Sequence, residues 1–175
     1  MNWQPTTLKN EMVQMYPLQM TDFEELFQVA SDELLWEQHP NKNRYKREVF
    51  QVFFDGAITS KGAFVVRDSK TSECIGSSRF YDYDPDSNTV LIGYTFIGRK
   101  FWGKNFNNAI KSLMLNYAFQ YVDAVCFHIG ATNSRSQKAI LKIGAEKIDE
   151  DLVAYYGETP KLNYIYKITK NTWIK

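Results

Sequence analysis

Residues 90–117, VLIGYTFIGRKFWGKNFNNAIKSLMLNY, decide how this chain folds. Val90 to Ile97 is dense in β-branched and aromatic residues, the composition of a largely buried strand. Gly98-Arg99-Lys100 breaks that run, and Trp102-Gly103-Lys104-Asn105 predicts a tight turn. From Phe106 the apolar residues change period: Ala109, Ile110, Leu113, Met114, Tyr117 and Ala118 recur at helical spacing. A strand–turn–helix junction of this kind can hold phosphate. The first helical N–H groups have no internal partner, the helix dipole is positive there, and a glycine lets the backbone approach closely. Arg99, Lys100 and Lys104 add mobile positive charge beside those donors. An ordinary connection between a strand and a helix has the same appearance, so the residues alone make this a candidate anion cradle.

Working outward, Met12 to Leu18 predicts a short strand, placed at a sheet edge by Pro17, after a polar arm over residues 1–11. Thr21 and Glu24 have the spacing of a capping box before a helix carrying Phe23, Leu26, Phe27 and Ala30. An apolar segment, Leu34 to Pro40, separates it from a second helix over Arg44 to Ile58. Gly62–Arg67 and Glu73–Tyr83 read as a hairpin, and Asp84 to Asn88 turns the chain into Val90–Ile97, which gives consecutive antiparallel strands. Downstream, a helix over Asn107–Gln120 is the crossover to the dense apolar strand Ala124–Ile129, which should lie parallel to Val90–Ile97. A short helix, Ser134 to Ile143, stops at Gly144, and two last strands fall near Glu146–Tyr155 and Leu162–Thr169. Without repeat, linker or low-complexity tract, residues 1–175 read as one mixed α/β domain with a mainly antiparallel sheet flanked by helices.

The formal net charge of +1 gives no global attraction to nucleic acid or an anionic membrane, so any basic site has to be local. No stretch approaches the roughly 18 apolar residues of a membrane span, and MNWQPTTLKN lacks the pattern of a signal peptide. A cytoplasmic protein is expected, in which Cys74 and Cys126 are reduced, buried thiols. They form no C-x-x-C pair and stand near no histidine cluster, so no metal is expected. Monomer and homodimer are both open.

Ile92-Gly93-Tyr94 followed by Arg99-x-x-Trp102-Gly103-Lys104 resembles the acyl-CoA-binding motif of the GNAT superfamily of N-acetyltransferases, and most closely its RimJ/RimL-like branch. Asn133-Ser134-Arg135-Ser136-Gln137-Lys138, leading to Lys142-Ile143-Gly144-Ala145, resembles the second signature of that branch. Tyr16-Pro17-Leu18 and Asp22 to Leu26 are similar to its entry strand and first helix, so the resemblance runs in register over roughly residues 12–169. It implies the GNAT acyl-CoA N-acyltransferase fold, in which the parallel pair starts joined and then splays. It also implies acetyl-CoA as acyl donor and a primary amine as acceptor, either a small molecule or the N-terminal α-amine of a protein or peptide.

Carried over position by position, the resemblance puts backbone of Tyr94, Phe96 and Ile97 on the pantetheine arm. The loop Lys100, Phe101, Trp102, Gly103, Lys104 and Asn105, with Phe106 and Asn107, would hold the pyrophosphate. Asn105 replaces the second glycine of the usual G-K-G, and asparagine tolerates a left-handed backbone. Asn133 would bond the arm near the thioester, Ser136 would face the sulfur and Lys138 would reach a phosphate. An Asn ahead of a short helix is equally an N-cap, and a surface lysine is often only solvated. Two familiar catalytic groups are missing: Leu91 stands where many members have a glutamate, and Ile140 where others have a tyrosine acid. A non-catalytic acyl-CoA-binding module is therefore the alternative function. The remaining catalytic candidates are Ser136, His128 and Glu37. Trp36, Glu37 and His39, together with Arg79 and Tyr81 from one face of the strand Glu73–Tyr83, are candidates for the acceptor pocket. Arg79, in an apolar strand, is expected to pair with Glu37 or with an acceptor carboxylate.

Overall fold

The computed structural model describes residues 1–154 and 159–173. Eight strands form one sheet: β1 (Leu8–Lys9), β2 (Val13–Pro17), β3 (Ala63–Asp68), β4 (Cys74–Asp84), β5 (Thr89–Ile97), β6 (Ala124–Gly130), β7 (Glu146–Val153) and β8 (Lys161–Thr169). Their order is β1-β2-β3-β4-β5-β6-β8-β7, antiparallel everywhere except β5–β6. The helices are α1 (Phe23–Ala30), α2 (Arg47–Thr59), α3 (Phe106–Ala118), α4 (Ser134–Lys142) and α5 (Lys170–Trp173).

Strand alternation explains the layers. On β3, Phe64 and Val66 enter a core shared with Ile110 and Met114 of α3, while Ala63 and Val65 enter a second core with Leu26 of α1 and Phe50 and Phe54 of α2. Each face of the sheet therefore carries its own helical layer. On β5 the alternation changes phase. Val90 and Ile92 belong to the α3 core, but so does Ile97, and Phe96 belongs to the other. The cause is a bulge. Gly93 pairs with Arg79 and Phe96 with Ser77, so one extra residue sits on β5, and Tyr94 takes φ +53°.

The parallel pair is short. Thr89, Val90 and Leu91 face Ala124, Val125 and Cys126, and pairing then ceases, whereas β6 keeps β8 as a partner over all seven residues from Ala124 to Gly130. Beyond Leu91 the two strands leave a gap, as the resemblance implied. The fold class expected from the sequence is the one observed.

Several local expectations change. The helix start at Thr21 gives way to a 3-10 turn over Met20–Asp22, where Gln19 N–H donates to Asp22 Oδ2 at 2.8 Å. Glu24 caps nothing and instead pairs with Arg47 across the α1–α2 interface. Arg44 precedes α2 rather than opening it. The N-terminal residues are not a free arm: Leu8–Lys9 adds an edge strand, and the Trp3 ring lies 5.3 Å from Phe80 and 5.5 Å from Tyr83. Tyr117 Oη donates to Asn2 O at 2.6 Å, holding that segment on α3. Cys74 and Cys126 are free thiols. Tyr155, the expected end of the seventh strand, lies outside the described residues. No helix among the described residues is long and apolar enough to cross a membrane.

Candidate active site

The gap between β5 and β6 opens into a cavity of about 1100 Å³. One end is built by the junction after β5. A single 3-10 turn, Arg99–Phe101, leads to Gly103 at φ +74° and Asn105 at φ +68°, ψ 4°, before α3 begins. Asn105 thus takes the left-handed conformation that its residue type tolerates. No side chain caps α3, and its first backbone bond runs from Ala109 N–H to Asn105 O at 3.1 Å. The amides of Phe106, Asn107 and Asn108 therefore lack intrahelical partners at the cavity rim. A Cβ built on Gly103 would meet nothing within 4 Å, so the positive φ is what selects glycine there.

The wall between the strands is the bulged part of β5 on one side and Phe127 to Gly130 of β6 on the other. The start of α4 closes it: Asn133 caps that helix, its Oδ1 accepting from Ser136 N–H at 3.2 Å, and both residues line the cavity. Asn133 therefore does serve as an N-cap, and its side-chain Nδ2 makes no bond among the described residues. The Arg135 guanidinium stacks 3.8 Å above the Trp102 ring and donates to Leu35 O at 3.3 Å, joining α4, the junction loop and the segment after α1.

The far end is built by that segment. Trp36 is buried, with Nε1 donating to Ala30 O at 2.7 Å and its ring 5.4 Å from Phe96. His39 packs edge-on against Trp36 at 5.4 Å, and its Nε2 faces Arg44 Nη1 at 3.3 Å. Its Nδ1 lies 2.9 Å from Asn41 N and 3.1 Å from Asn41 O, so both ring nitrogens have partners. Burial, with Arg44 and Arg135 nearby, holds His39 well below the usual histidine range, and the ring is neutral. His128 also lines the cavity, and its partial burial lowers it.

Among the described residues, the cavity lining carries Arg44, Lys111, Arg135, Lys138 and Lys142 but no aspartate or glutamate. The lining is thus locally cationic on a chain whose net charge is only +1.

The structure brings together Trp36, His39, Tyr94, Phe96, Ile97, Phe101, Trp102, Gly103, Asn105, Phe106, Asn107, His128, Asn133, Ser136 and Lys138 on this wall. It does not bring in Glu37, Lys100, Lys104, Arg79 or Tyr81. Glu37 and Lys104 are exposed, and Lys100 reaches outward to Glu73. The expected pairing of Arg79 with Glu37 does not form. Arg79 donates to Gly56 O at 3.2 Å and Phe53 O at 3.4 Å at the end of α2, and lies 3.9 Å over the Tyr94 ring. Tyr81 packs on that ring at 4.9 Å, so both residues brace the bulge. Lys111, Arg44 and Arg135 are lining residues that sequence reasoning missed. Lys111 had one signal: it follows Asn107 by four residues and so shares its helix face.

A mixed sheet splayed at one parallel pair, with an uncapped helix start at the mouth of a carboxylate-free cleft, is the frame of an acyltransferase. Residues 13–146 match the Acetyltransferase (GNAT) domain, and the chain belongs to that family. Among curated proteins none matches significantly. Solved structures agree on the fold. A GCN5-related N-acetyltransferase from Brucella melitensis superposes with TM-score 0.83 at 16% identity, over 98% of this chain and 83% of that one. RimJ from Mycobacterium smegmatis, in complex with CoA-disulfide, gives 0.71 at 14%, over 94% and 86%. Spermidine N-acetyltransferase from Vibrio cholerae, in complex with CoA and spermine, gives 0.70 at 13%, over 95% and 100%. Among the described residues no three His, Cys, Asp or Glu side chains gather to hold a metal.

Proposed function

We propose that this chain transfers the acetyl group of acetyl-CoA to a primary amine, as a member of the RimJ/RimL-like branch. The observation that carries the reading is the cleft itself: five cationic side chains, no described carboxylate, and free helix-start amides at its rim. A diphosphate-bearing donor fits those features and a cationic one does not. In this reading the backbone of Gly103 to Asn107 holds the diphosphate, with Lys138 reaching phosphate oxygens. Backbone of Tyr94, Phe96 and Ile97 pairs with the pantetheine arm as an added strand would, on the edge that β6 leaves open. Asn133 turns its free amide to the same arm, and Ser136 lies beside the sulfur.

Acetyl-CoA supplies an acyl carbon already activated as a thioester. The chain's own work is to position an uncharged amine and to manage protons. Free α-amines and lysine amines are mostly protonated at neutral pH, with pKa values of about 8 and 10.4. In this reading a neutral ring on the cleft wall, His128 or His39, accepts a proton from an amine entering past Trp36, His39 only on releasing Arg44. Glu37, exposed and off the wall, is a weaker base candidate.

Leu91 and Ile140 are both buried, so the two familiar catalytic positions have become core. That observation favours the second reading, a binding module without turnover. One experiment separates them. Acetyl-CoA should raise the melting temperature, and thiol should be released when spermine or N-terminal peptides are added. Stabilisation without thiol release across the panel leaves only the binding module, and no stabilisation defeats both.

A further inference from the structure

Lys111 lies in the second turn of α3 and is 4% exposed. Its Nζ donates to Thr95 Oγ1 at 2.6 Å, and Thr95 Oγ1 lies 2.7 Å from Ser78 Oγ. The Phe127 ring is 5.7 Å away on β6. An ammonium has three donors, and here one is used among the described residues. The other two belong to a side chain that lines the cavity. A buried cation without a carboxylate is costly, and burial alone lowers Lys111 to about 7. The side chains facing it are Ser78 on β4, Thr95 on β5 and Phe127 on β6. The ionisable wall groups on those last two strands are Tyr94 and His128, neither a carboxylate.

The side of the sheet decides what Lys111 can serve. The bulge at Tyr94 sends Thr95 and Ile97 toward α3 and sends Phe96 toward Trp36 and α2. Lys111 therefore reaches the gap from the face that carries the α3 start, where the donor's diphosphate is proposed to sit. His39 and Trp36 reach it from the opposite face. Lys111 is thus the cationic donor on the α3 face of the gap, and the histidine side chain of His39 lies on the other.

Resting on the acetyl-CoA reading, we propose that Lys111 is the general acid of the transfer, giving its proton to the sulfur as the C–S bond breaks. The electron pair of that bond leaves on sulfur, and the acyl carbon gains its new bond from the acceptor nitrogen. The nitrogen sheds one proton to the opposite wall and solvent, and Lys111 recovers a proton from solvent. Thr95 is the positioning residue that aims Nζ. The energetics run the right way: an amine near 7 is a stronger acid than an ordinary thiol near 8.5, so the transfer is downhill.

The first part of the test needs no acceptor. CoA bound to the protein is titrated through the ultraviolet absorbance of its thiolate, in wild type and in Lys111→Met. With Lys111 beside the sulfur the two groups titrate as a coupled pair, because ammonium and thiolate stabilise each other; thiolate absorbance in wild type should therefore begin to appear at lower pH than in Lys111→Met, while CoA affinity stays within about threefold. Thiol release from acetyl-CoA with spermine or a peptide amine should fall about 100-fold in Lys111→Met. Lys111→Arg should keep the thiol shift but not restore the rate, because arginine does not surrender its proton at working pH. Thr95→Val should lose part of the shift. Equal thiol titration in both complexes overturns the assignment, as does an undiminished rate in Lys111→Met or full rescue by Lys111→Arg. Lys111→Gln replaces the Met variant should that one misfold. Failure of wild type to bind CoA is seen before any variant is compared; it defeats the donor reading, and this one with it.

Discussion

The two ends of the cleft are made of different materials. At the α3 end the cavity rim offers main-chain amides of one contiguous stretch, held by φ angles at Gly103 and Asn105. At the Trp36 end they are side chains from separate segments, Trp36, His39 and Arg44 before α2 and His128 on β6. Amides set by backbone conformation are indifferent to side-chain replacement but intolerant of a wrong φ. Side-chain walls behave in the opposite way. A recurring donor suits the first construction, and a variable acceptor suits the second.

The most damaging way to break the α3 end is through its backbone. Proline fixes φ near −65°, and Gly103 sits at +74°. Gly103→Pro should lower CoA affinity at least about 100-fold by calorimetry while leaving the sheet intact, since the glycine is exposed. Gly103→Ala meets no steric contact and bears only the left-handed cost of about 1–2 kcal/mol, so a loss of roughly tenfold is expected. Similar losses for the two would show that backbone angle is not what the site depends on.

Lys111 offers the next largest effect, read as stability. Its folded pKa of about 7 lies below the unfolded value of about 10.4, so between those limits the unfolded chain binds the extra proton and stability rises with pH. Below pH 7 the burial penalty is felt in full. Lys111→Met should therefore be the more stable protein at pH 6, by on the order of 3 kcal/mol, with the advantage shrinking toward pH 10 in urea titrations. A pH-independent difference would mean that Lys111 keeps an ordinary pKa in the fold.

At the other end, His39→Phe keeps the ring packed on Trp36 and removes the lone pair facing Arg44. It should reduce kcat/KM for an active amine by about tenfold and leave CoA affinity within about twofold. A matching loss in CoA affinity would show that the two ends are not separable.

This division also explains what could be read from the sequence. The strand–turn–helix junction was legible because it lies in consecutive residues, Gly98 to Asn107, and the parallel pairing followed from a helix-length crossover. Lys111 and Arg79 were not. The bulge at Tyr94 supplies a partner to each, Thr95 to Lys111 and the Tyr94 ring to Arg79, and a tyrosine gives no sign in sequence that it will take φ +53°. Arg79 was expected to need a carboxylate. The carbonyls at the end of α2 and the Tyr94 ring satisfy most of it, though its Nε is buried without a partner among the described residues, and burial lowers it to about 10. The Thr21 cap failed for a local reason, because Asp22 bonds Gln19 one turn earlier.

The smallest effect expected is also the sharpest test of a backbone-made site. Asn105 occupies the position where the motif that this loop resembles has glycine, and in this fold it adopts the glycine-like angle without using its side chain as a cap. Asn105→Gly therefore removes no hydrogen bond. It relieves the left-handed cost, which asparagine bears only weakly, and adds unfolded-state entropy that offsets the gain. The net change in stability should stay within about 0.5 kcal/mol. CoA affinity should hold or improve by no more than about threefold, through the space freed beside the α3 amides. A tenfold loss would mean that the Asn105 side chain itself grips the ligand. The α3 end would then be a side-chain site like its opposite, and the contrast between the two ends would vanish.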